Sequence, residues 1–355
     1  MPIATRAFAA TAAAQPLTPF SFTRRDPGVD DVAIDIKFCG VCHSDLHAVD
    51  NDMGNARFPL VPGHEIAGIV SAVGANVTKF KVGDRVGVGC MVDSCQTCAS
   101  CQEGEEQFCI PGFTGTYGGP DKKGGSDQTI TQGGYSDHIT VDHNFVVSIP
   151  DSIPLDAAAP LLCAGITTYS PLKEWNIGAG SRVAVIGLGG LGHMAVKQAA
   201  AMGAEVTVLS TSDRKKADAE RMGAKHFLIN SDKDAMKAAA EKFDLIINTV
   251  SATHEIASHI QLLARDGTMV MLGLTTEAMP VFALPLLWRR RRIAGSLIGG
   301  IRETQEMLDF CAEHGIASEI EVIAPEQIND AYARMLKSDV RYRFVIDTSK
   351  LKQAA

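Results

Sequence analysis

The sequence predicts an α/β protein in which a compact β-rich part is followed by a doubly wound parallel sheet. Three observations carry this prediction. Short apolar segments punctuated by glycine fill the first part of the chain, and strand-like and helix-like segments alternate regularly after about residue 180. The chain has 355 residues, which is too long for one ordinary hydrophobic core and favours two domains.

The β-rich part is predicted from a series of short segments. Residues 32–38 alternate apolar and charged side chains, as a half-buried strand does. Residues 66–73 and 85–90 are further short strands, separated by turns that contain glycine. Residues 145–149 form another, and the scarcity of helical periodicity between these segments favours a barrel-like domain.

The second part alternates strands and helices. An apolar strand at residues 182–186 leads into a glycine-rich turn and a helix at 193–202. The alternation continues through predicted strands at 205–209, 226–229, 243–248 and 267–272 and helices at 213–222 and 233–241. This spacing is typical of a parallel sheet that helices cover on both faces.

The glycine-rich turn has the G-x-G-x-x-G spacing of a dinucleotide-binding loop. The motif is weak by itself, but here it lies between a strand and a helix, which is the context that it requires. Glycine lets the backbone approach a pyrophosphate group, and the helix N-terminus attracts its negative charge. The predicted cofactor-binding residues of the turn are Gly187, Leu188, Gly189, Gly190, Leu191 and Gly192.

The end of the second parallel strand predicts which dinucleotide is bound. An NAD-binding fold usually has an acidic residue here that holds the ribose 2′-hydroxyl. This chain has a cluster of hydroxyl and basic side chains that suits the 2′-phosphate of NADP(H) instead: Ser210, Thr211, Ser212, Arg214 and Lys215. Asp213 is the contrary residue, and we interpret it as an N-cap or first-turn acid of the next helix.

A cluster of cysteines gives the strongest metal signal. Cys95, Cys98, Cys101 and Cys109 place four thiolates on one short loop. This is the ligand set of a tetrahedral zinc site, and because sulfur fills every position, the predicted role is structural. A nucleic-acid-binding zinc ribbon is the alternative, which the acidic residues around the loop disfavour: Asp93, Glu103, Glu105 and Glu106.

The segment from residue 42 to residue 47 concentrates side chains that bind metals or transfer protons: Cys42, Ser44, Asp45 and His47. His64 and Glu65 follow in a turn between two predicted strands, and Cys163 lies in an apolar helix. Each of these residues also has an ordinary structural interpretation, since free cysteine is among the most buried residue types. The residues taken singly leave both interpretations open.

The composition argues against several classes of protein. The balance of 33 basic and 41 acidic residues gives a net charge of −8, which disfavours a nucleic-acid-binding protein. No apolar run of ~18 residues predicts a membrane span, and no continuous apolar segment near the N-terminus predicts a signal peptide. The nine cysteines fit metal binding in a reducing cytoplasm better than a disulfide framework. We interpret the basic run at 289–292 as a solvated or domain-crossing segment.

Taken together, these segments resemble the zinc-dependent medium-chain alcohol dehydrogenases. The resemblance rests on Cys42 with its Ser44 and Asp45, on Gly63 with His64 and Glu65, on the four-cysteine loop, on Cys163 in its apolar segment and on the glycine-rich turn. The sequence is most similar to the cinnamyl-alcohol-dehydrogenase-like branch, which includes bacterial broad-range NADPH-dependent aldehyde reductases. The likeness extends over about residues 32–346.

The resemblance implies an enzyme with two domains. Residues 1–152 and 297–355 would form a GroES-like catalytic domain, and residues 153–296 a Rossmann NADP-binding domain. The activity implied is that of a zinc-dependent oxidoreductase that transfers a hydride between NADP(H) and primary alcohols or aldehydes, mainly in the direction of aldehyde reduction. A homodimer is expected from the family and from the frequency of two-fold oligomers.

The resemblance also implies a second zinc ion, which would be catalytic. Its ligands would be Cys42, His64 and Cys163, and this set leaves the fourth tetrahedral position open, as a catalytic zinc requires. With the four-cysteine loop, the chain would hold two Zn²⁺ ions.

Further roles follow from the same resemblance. Ser44 would reach the reacting substrate oxygen, and His47 would stand at the outer end of a proton relay through the cofactor ribose. Asp45 would orient His64 through its other ring nitrogen, and Glu65 would tune the metal or ligate it transiently. We interpret His43 as a neighbour of a cofactor phosphate.

The remaining predicted contacts line the cofactor and substrate pockets. The cofactor contacts are Thr167, Val250, Gly273, Ser296 and Ile298, and the substrate pocket contains Met91, Gly115, Tyr117 and again Ile298. Gly115 is a departure from the plant cinnamyl enzymes, which have a bulky aromatic residue there. Its loss removes one wall of an aromatic pocket and favours a broad aldehyde range.

Two alternatives remain at this point. One is a polyol or secondary-alcohol dehydrogenase of the same fold. The other is a non-catalytic zinc-ribbon binding protein that carries a nucleotide fold. A binding module would have no need of Cys42, His64 and Cys163 together with Ser44 and His47.

Overall fold

The computed structural model describes residues 2–275 and 277–351. Its strands are β1 (Ile3–Ala9), β2 (Thr18–Arg24), β3 (Asp31–Gly40), β4 (Ile66–Val73), β5 (Arg85–Val88), β6 (Met91–Asp93), β7 (Thr114–Gly115), β8 (His138–Asp142), β9 (Val147–Ser148), β10 (Arg182–Ile186), β11 (Glu205–Ser210), β12 (His226–Ile229), β13 (Phe243–Asn248), β14 (Leu263–Met271), β15 (Arg292–Gly295), β16 (Ile320–Ile323) and β17 (Arg343–Asp347).

The helices are mostly short. They are α1 (His43–Asp50), α2 (Ala99–Glu103), α3 (Leu155–Ala158), α4 (Ala164–Glu174), α5 (Gly192–Ala201), α6 (Lys216–Arg221), α7 (Lys233–Ala238), α8 (Ala257–Ile260), α9 (Ala283–Arg289), α10 (Ile301–Glu313) and α11 (Ile328–Leu336). None of the helices in the described part of the chain has the length and apolar character needed to cross a membrane.

The chain divides into two compact units. The first runs to Cys163 and resumes at Gly299, and the second extends from Ala164 to Ile298. The predicted boundaries at 152/153 and 296/297 are therefore displaced. The first is displaced because the segment after residue 153 packs on the first unit: the Leu162 side chain lies so close to Gly87 that a Cβ atom there would be 2.7 Å away.

The first unit is organised around β3. The strand order of its main sheet is β16-β17-β3-β4-β5-β9, and β8 also pairs with β3. The antiparallel register of β3 and β4 puts Cys39 opposite Ile66, so the residues after β3 and before β4 meet at one end of the sheet. The predicted strand at 85–90 stops at Val88, because the chain turns there and the Cys90 thiol approaches the Leu162 carbonyl oxygen at 4.0 Å.

The apolar segment that contains Cys163 is not one continuous helix. It forms α3, then a 3-10 turn over Ala159–Leu162, and α4 begins at Ala164. Pro160 lies in this turn and cannot supply an N–H to an α-helical hydrogen bond. Cys163 therefore lies at a break, with φ −130° and ψ −67°, rather than inside a packed helix.

The second unit is a parallel sheet with strand order β12-β11-β10-β13-β14-β15. Each neighbouring pair is parallel, and α5 connects β10 to β11. Its interior is apolar and includes Ile186, Leu209, Ile246 and Leu263. Strands buried by helices read as continuous apolar runs, which is why sequence periodicity located β10, β11 and β13. The predicted α/β fold class is confirmed.

Candidate active site

Three of the predicted metal ligands meet in the first unit. Single ligand atoms of Cys42, His64, Glu65 and Cys163 all lie within 4.8 Å of one another. The His64 Nε2 atom is 3.3 Å from the Cys163 sulfur. A tetrahedral zinc ion with bonds of 2.0–2.3 Å requires donor atoms roughly 3.5–4 Å apart, so this donor set fits zinc.

The strand register explains how Cys42 and His64 come together. Cys42 is the N-cap of α1, immediately after β3, and His64 lies immediately before β4. Gly63 has a φ of 103°, and a Cβ atom there would lie 2.6 Å from a ring carbon of Tyr135. A side chain at residue 63 would therefore displace the turn that presents His64.

Asp45 orients His64 from the first turn of α1. Its Oδ1 atom is 3.0 Å from His64 Nδ1, and its Oδ2 atom accepts the Cys42 N–H at 3.0 Å. The second contact forms part of a capping box, so one carboxylate both starts the helix and holds the imidazole. When Nδ1 donates to Asp45, Nε2 is free to face a metal.

The thiols of the set interact with each other. Hydrogen bonding with Cys163 holds the pKa of the Cys42 thiol well below its ordinary value, although burial acts in the opposite direction. The same hydrogen bonding raises the pKa of Cys163. Hydrogen bonding to Cys163 also lowers the pKa of Cys90, so a further thiol lies beside the ligand set.

Glu65 is buried and forms an ion pair with Arg343. Glu65 is 0 % exposed, and a guanidinium nitrogen of Arg343 on β17 donates to its Oε1 atom. The Oε2 atom has no hydrogen-bond partner among the described residues. Burial, opposed by the charge of Arg343, raises the pKa of Glu65 to about 7. Arg343 thus holds one carboxylate oxygen, while the carboxylate stays within reach of the metal ligands.

The proton-relay candidates lie on and after α1. The Cys42 sulfur is 3.7 Å from the Ser44 hydroxyl, which places that hydroxyl next to the ligand set. His47 Nδ1 is 2.6 Å from a carboxylate oxygen of Asp52, and its buried Nε2 has no partner within the described chain. His43 is exposed, with its ring centroid 6.5 Å from that of His47.

The second predicted metal site is confined to one loop. Ligand atoms of Cys95, Cys98, Cys101 and Cys109 lie within 4.8 Å of one another. Backbone N–H groups point at the sulfurs, with Cys98 N donating to Cys95 at 3.3 Å and Ile110 N to Cys98 at 3.5 Å. Such donation lowers the pKa of Cys95 to about 6, whereas burial raises the pKa of Cys101 to about 12. The sulfur-only donor set fits a structural zinc.

The glycine-rich turn of the second unit joins β10 to α5. Gly187 has a φ of 87°, and a Cβ atom at Gly192 would lie 1.9 Å from the Gly187 carbonyl oxygen. Gly189 faces open space: apart from its chain neighbours, no atom of the described residues lies within 4 Å of a Cβ built there. The turn is therefore tight, yet open where a pyrophosphate would approach, and its backbone fits a dinucleotide.

Other predicted cofactor contacts lie within the second unit. Lys215 Nζ donates to the Leu188 carbonyl oxygen at 2.8 Å, which brings an ammonium group to the glycine-rich turn. The Thr167 hydroxyl is buried and lacks a partner among the described residues, as a group reserved for a ligand would. A Cβ atom at Gly273 would lie 2.1 Å from the Val250 carbonyl oxygen, so the ends of β13 and β14 meet closely.

The remaining predicted residues are placed as follows. The glycine-rich turn also contains Leu188, Gly190 and Leu191; Ser210 ends β11, followed by Thr211, Ser212 and Arg214; Ser296 follows β15, and Ile298 has a φ of 41°. In the first unit Met91 is paired with Gly115 between β6 and β7, and Met91 is 2 % exposed. The Tyr117 ring centroid is 5.6 Å from that of His64.

Comparison with known proteins identifies the family. Residues 28–151 match the model of the alcohol dehydrogenase GroES-like domain, and residues 190–313 match that of zinc-binding dehydrogenases. The chain is 59% identical to the NADP-dependent alcohol dehydrogenase C of Mycobacterium tuberculosis over 97% of its own length and 99% of that protein. The chain belongs to the zinc-binding alcohol dehydrogenase family.

Solved structures agree with this assignment. A cinnamyl alcohol dehydrogenase of Sorghum bicolor superposes with a TM-score of 0.94 at 46% identity, covering 99% of this chain and 100% of that one. The cinnamyl alcohol dehydrogenase of Helicobacter pylori, described as complexed with NADP(H), gives 0.92 at 43% identity and the same coverage. The predicted family, its GroES-like and Rossmann α/β folds and the oxidoreductase class are confirmed. Membership of this family does not support a non-catalytic zinc-ribbon protein.

Several residues of this alcohol dehydrogenase site were missed by sequence reasoning. Arg343 reaches Glu65 from the last strand, Tyr135 reaches Asp45, and Asp52 pairs with His47. Arg343 and Tyr135 are far from their partners in sequence, and no local motif marks them. Asp52 was within reach of a local argument, since it follows His47 by five positions at the end of α1.

Proposed function

We propose that this dehydrogenase transfers a hydride between NADP(H) and primary alcohols or aldehydes, and that it acts mainly as a broad-range aldehyde reductase. The observation that carries the proposal is the set of Cys42, His64 and Cys163, two thiols and one imidazole that converge in the first unit. These three residues would hold a zinc ion and leave it open to a substrate, and the ion would supply Lewis-acid chemistry. The relatives named as NADP-dependent and as cinnamyl alcohol dehydrogenases support the cofactor and the substrate class.

Two zinc ions are proposed for each chain. Cys42, His64 and Cys163 would hold the catalytic ion, and Cys95, Cys98, Cys101 and Cys109 the structural one. Glu65 is restrained by Arg343 but has an unpartnered oxygen, so it is suited to tune the catalytic ion or to ligate it transiently. Asp45 would keep His64 in the tautomer and orientation that metal binding requires.

When bound, NADPH at the glycine-rich turn would supply the hydride, and zinc held by Cys42, His64 and Cys163 would supply Lewis-acid polarisation of the substrate. The reduction also consumes one proton, which ends on the alcohol oxygen. The Ser44 hydroxyl, beside the ligand set, is the group best placed to deliver it.

His47 is suited to restore the proton of the relay from solvent. Its Nδ1 pairs with Asp52, and its Nε2 has no partner among the described residues. We include Asp52 in the relay for this reason.

NADP(H) rather than NAD(H) is proposed from the polar cluster after β11. Ser210, Thr211 and Ser212 provide hydroxyls, and Arg214 and Lys215 provide positive charge, as recognition of a 2′-phosphate requires. Further cofactor contacts are proposed at Thr167, Val250, Gly273, Ser296 and Ile298.

A broad substrate range is supported by the small residue at the predicted pocket. Gly115 lies opposite Met91 in the β6–β7 pair, and the Tyr117 ring lies near that of His64. A glycine at this position contributes no wall to an aromatic pocket. We therefore expect aliphatic and aromatic aldehydes to be reduced with similar efficiency.

A homodimer is supported by the surface of the second unit. β15 is the last strand in the hydrogen-bonded order of the described sheet, so its outer backbone groups can pair with another copy. Around α9, the side chains of Phe282, Leu284, Leu287 and Trp288 are 65–74 % exposed. Exposed apolar side chains in such number are typical of an interaction surface. Light scattering should give a mass of two chains, and a single-chain mass would contradict the dimer.

A reducing compartment, the cytoplasm, is supported by the thiols. All nine cysteines are free in the structure, and seven of them serve the two proposed zinc sites. Fractionation of the producing cells would test this, and recovery of the protein outside the cytoplasm would contradict it.

The proposed function is tested by NADPH oxidation against a panel of aliphatic and aromatic aldehydes, ketones and polyols, with NADH in parallel. We expect several aldehydes to be reduced with NADPH, ketones to react poorly, and NADPH to exceed NADH in kcat/KM. Preferential turnover of a polyol or ketone would favour the alternative dehydrogenases of the same fold. Equal or better rates with NADH would contradict the cofactor assignment.

A further inference from the structure

The carboxylate of Asp45 is fully buried, and both of its oxygens accept hydrogen bonds. Its Oδ1 atom accepts from Gly63 N at 3.1 Å and from His64 Nδ1 at 3.0 Å. Its Oδ2 atom accepts from Cys42 N and from the Tyr135 hydroxyl, each at 3.0 Å. Asp45 is 0 % exposed, so no solvent molecule can replace a lost donor without a change in packing. The Tyr135 hydroxyl donates to Oδ2, and the Tyr117 side chain also forms a hydrogen bond with the Asp45 carboxylate.

Tyr135 is held rigidly from several sides. It is 1 % exposed, and its backbone N–H donates to the Pro62 carbonyl oxygen at 2.9 Å. Its own carbonyl oxygen accepts the N–H of Phe8 at 2.9 Å. These bonds fix the ring beside the turn that carries His64, so the hydroxyl has a defined position.

The direction of the hydrogen bonds is also defined. The Tyr332 hydroxyl on α11 donates to the Tyr135 oxygen at 3.4 Å. The Tyr135 hydroxyl has a single hydrogen, and it donates this hydrogen to Asp45 Oδ2. Burial, and then the charge of Asp45, raises the pKa of Tyr135 well above its ordinary value, which keeps this donor protonated.

We propose that Tyr135 is a positioning residue for the catalytic metal. Its hydroxyl fixes Asp45 Oδ2, and the rigid carboxylate then fixes His64 through Oδ1, so that Nε2 faces Cys42 and Cys163. The inference rests on the proposed function, because it assumes that these residues hold zinc. In this arrangement, Tyr135 fixes the orientation of the His64 imidazole indirectly, through the Asp45 carboxylate.

The isosteric change Tyr135→Phe isolates this role. It retains the ring that packs beside Gly63 and removes only the hydroxyl. Loss of groups that support a metal ligand typically costs about 10–100-fold in metal affinity. Tyr135 acts through Asp45 rather than on His64 directly, so we expect an effect near the lower end, about tenfold.

The experiment measures zinc release from the full-length protein to a chromogenic chelator. Two phases are expected, and Cys163→Ser, which removes one ligand of the assembled set, identifies the phase that belongs to the four-cysteine loop. Tyr135→Phe should accelerate the other phase about tenfold and leave the loop phase unchanged. The matched control is Tyr332→Phe, which removes a hydroxyl one bond further from Asp45 and should change either phase less than twofold.

A second readout makes the test independent of release kinetics. Cobalt substituted for zinc reports ligand geometry through its visible absorption, and Tyr135→Phe should shift the bands of the assembled site only. Identical release and spectra in Tyr135→Phe and the unmodified protein would overturn the inference. The inference would also be overturned if Tyr135→Phe accelerated zinc release equally in both phases, or if Tyr332→Phe accelerated it as much as Tyr135→Phe does. The effect would then be general destabilisation. Failure of the unmodified protein to bind a second zinc would instead contradict the proposed function.

Discussion

The two thiol-rich sites of the first unit differ in how far apart their ligands lie along the chain. The four-cysteine loop takes all its ligands from residues 95–109, whereas the assembled site combines Cys42, His64 and Cys163. A metal in the loop can order only the loop and what packs on it. The assembled site exists only after β3, β4 and the break before α4 have come together. We therefore propose a role in folding for the loop and a role in catalysis for the assembled site.

The two sites also differ in the groups that surround their ligands. In the loop, the sulfurs accept from backbone N–H groups, and the candidate ligand set contains only sulfur. At the assembled site, buried charged side chains surround the ligands, namely Asp45 behind His64 and the pair of Glu65 and Arg343. This difference is the basis for proposing a structural metal in the loop and a catalytic one at the assembled site.

The largest effect is expected in the loop. Cys98→Ser should reduce the zinc content from about two ions per chain to about one and lower Tm on the order of 10 °C, since structural zinc contributes folding free energy directly. Metal analysis and thermal unfolding check this. Gln102→Ala, at an exposed position of α2, is the control and should retain both ions. If Cys98→Ser lost one zinc ion and kept its Tm, the structural role proposed for the loop would be contradicted.

The next largest effect is expected at the assembled site, and it distinguishes the role of that site from the role of the loop. Cys163→Ser should also leave about one zinc per chain, but it should lower kcat on the order of 10³-fold with a small change in Tm, because a Lewis acid supplies several kcal/mol to the transition state. Steady-state NADPH oxidation and thermal unfolding are compared on one sample. Cys90→Ser, at the neighbouring thiol, should keep both ions. If Cys163→Ser unfolds as easily as Cys98→Ser, the division of roles is wrong.

A smaller effect is expected from a substitution at the assembled site that leaves the metal ligands in place. Ser44→Ala should lower kcat about 10²-fold, the lower range for lost general acid–base help, while two zinc ions remain. The matched control on the same helix is Asp50→Asn, at an exposed position. An unchanged rate would exclude Ser44 from proton transfer.

The smallest effect is expected in the second unit, where the proposed contacts with the 2′-phosphate again come from one contiguous segment. Arg214→Ala should reduce the preference for NADPH over NADH about tenfold, the value of one charge-assisted hydrogen bond. The kcat/KM values for the two cofactors measure this. Lys233→Ala, an exposed basic residue of α7, should leave the ratio unchanged. If Arg214→Ala kept the full preference for NADPH over NADH, recognition of the 2′-phosphate would have to be assigned to other groups, such as Lys215.

The contrast between the sites also explains what could be predicted from sequence. The loop and the glycine-rich turn are visible because spacing within a few residues determines their geometry. Cys163 is ambiguous by itself, since an apolar segment hides the break that Pro160 introduces, and only the family resemblance suggested it as a ligand. Arg343 and Tyr135 reach the site through strand pairing and loop packing, which no local pattern encodes.

The domain boundary illustrates the same limit. Residues 153–163 have the helical character of the segment that follows, so they were assigned to the second domain. Their side chains, however, are buried against the β-rich unit, as the contact between Leu162 and Gly87 shows. Periodicity indicates that a segment is helical or buried, but it does not indicate which core buries it.

The most direct test of the whole account is stepwise removal of zinc from the unmodified protein, with zinc content, NADPH-dependent aldehyde reduction and Tm measured at each step. The open assembled site should lose its ion first. The account predicts that activity disappears as the content falls from two ions to one, while Tm stays near its starting value, and that Tm collapses only with the second ion. Full activity at one zinc per chain, or loss of Tm with the first ion, would contradict it.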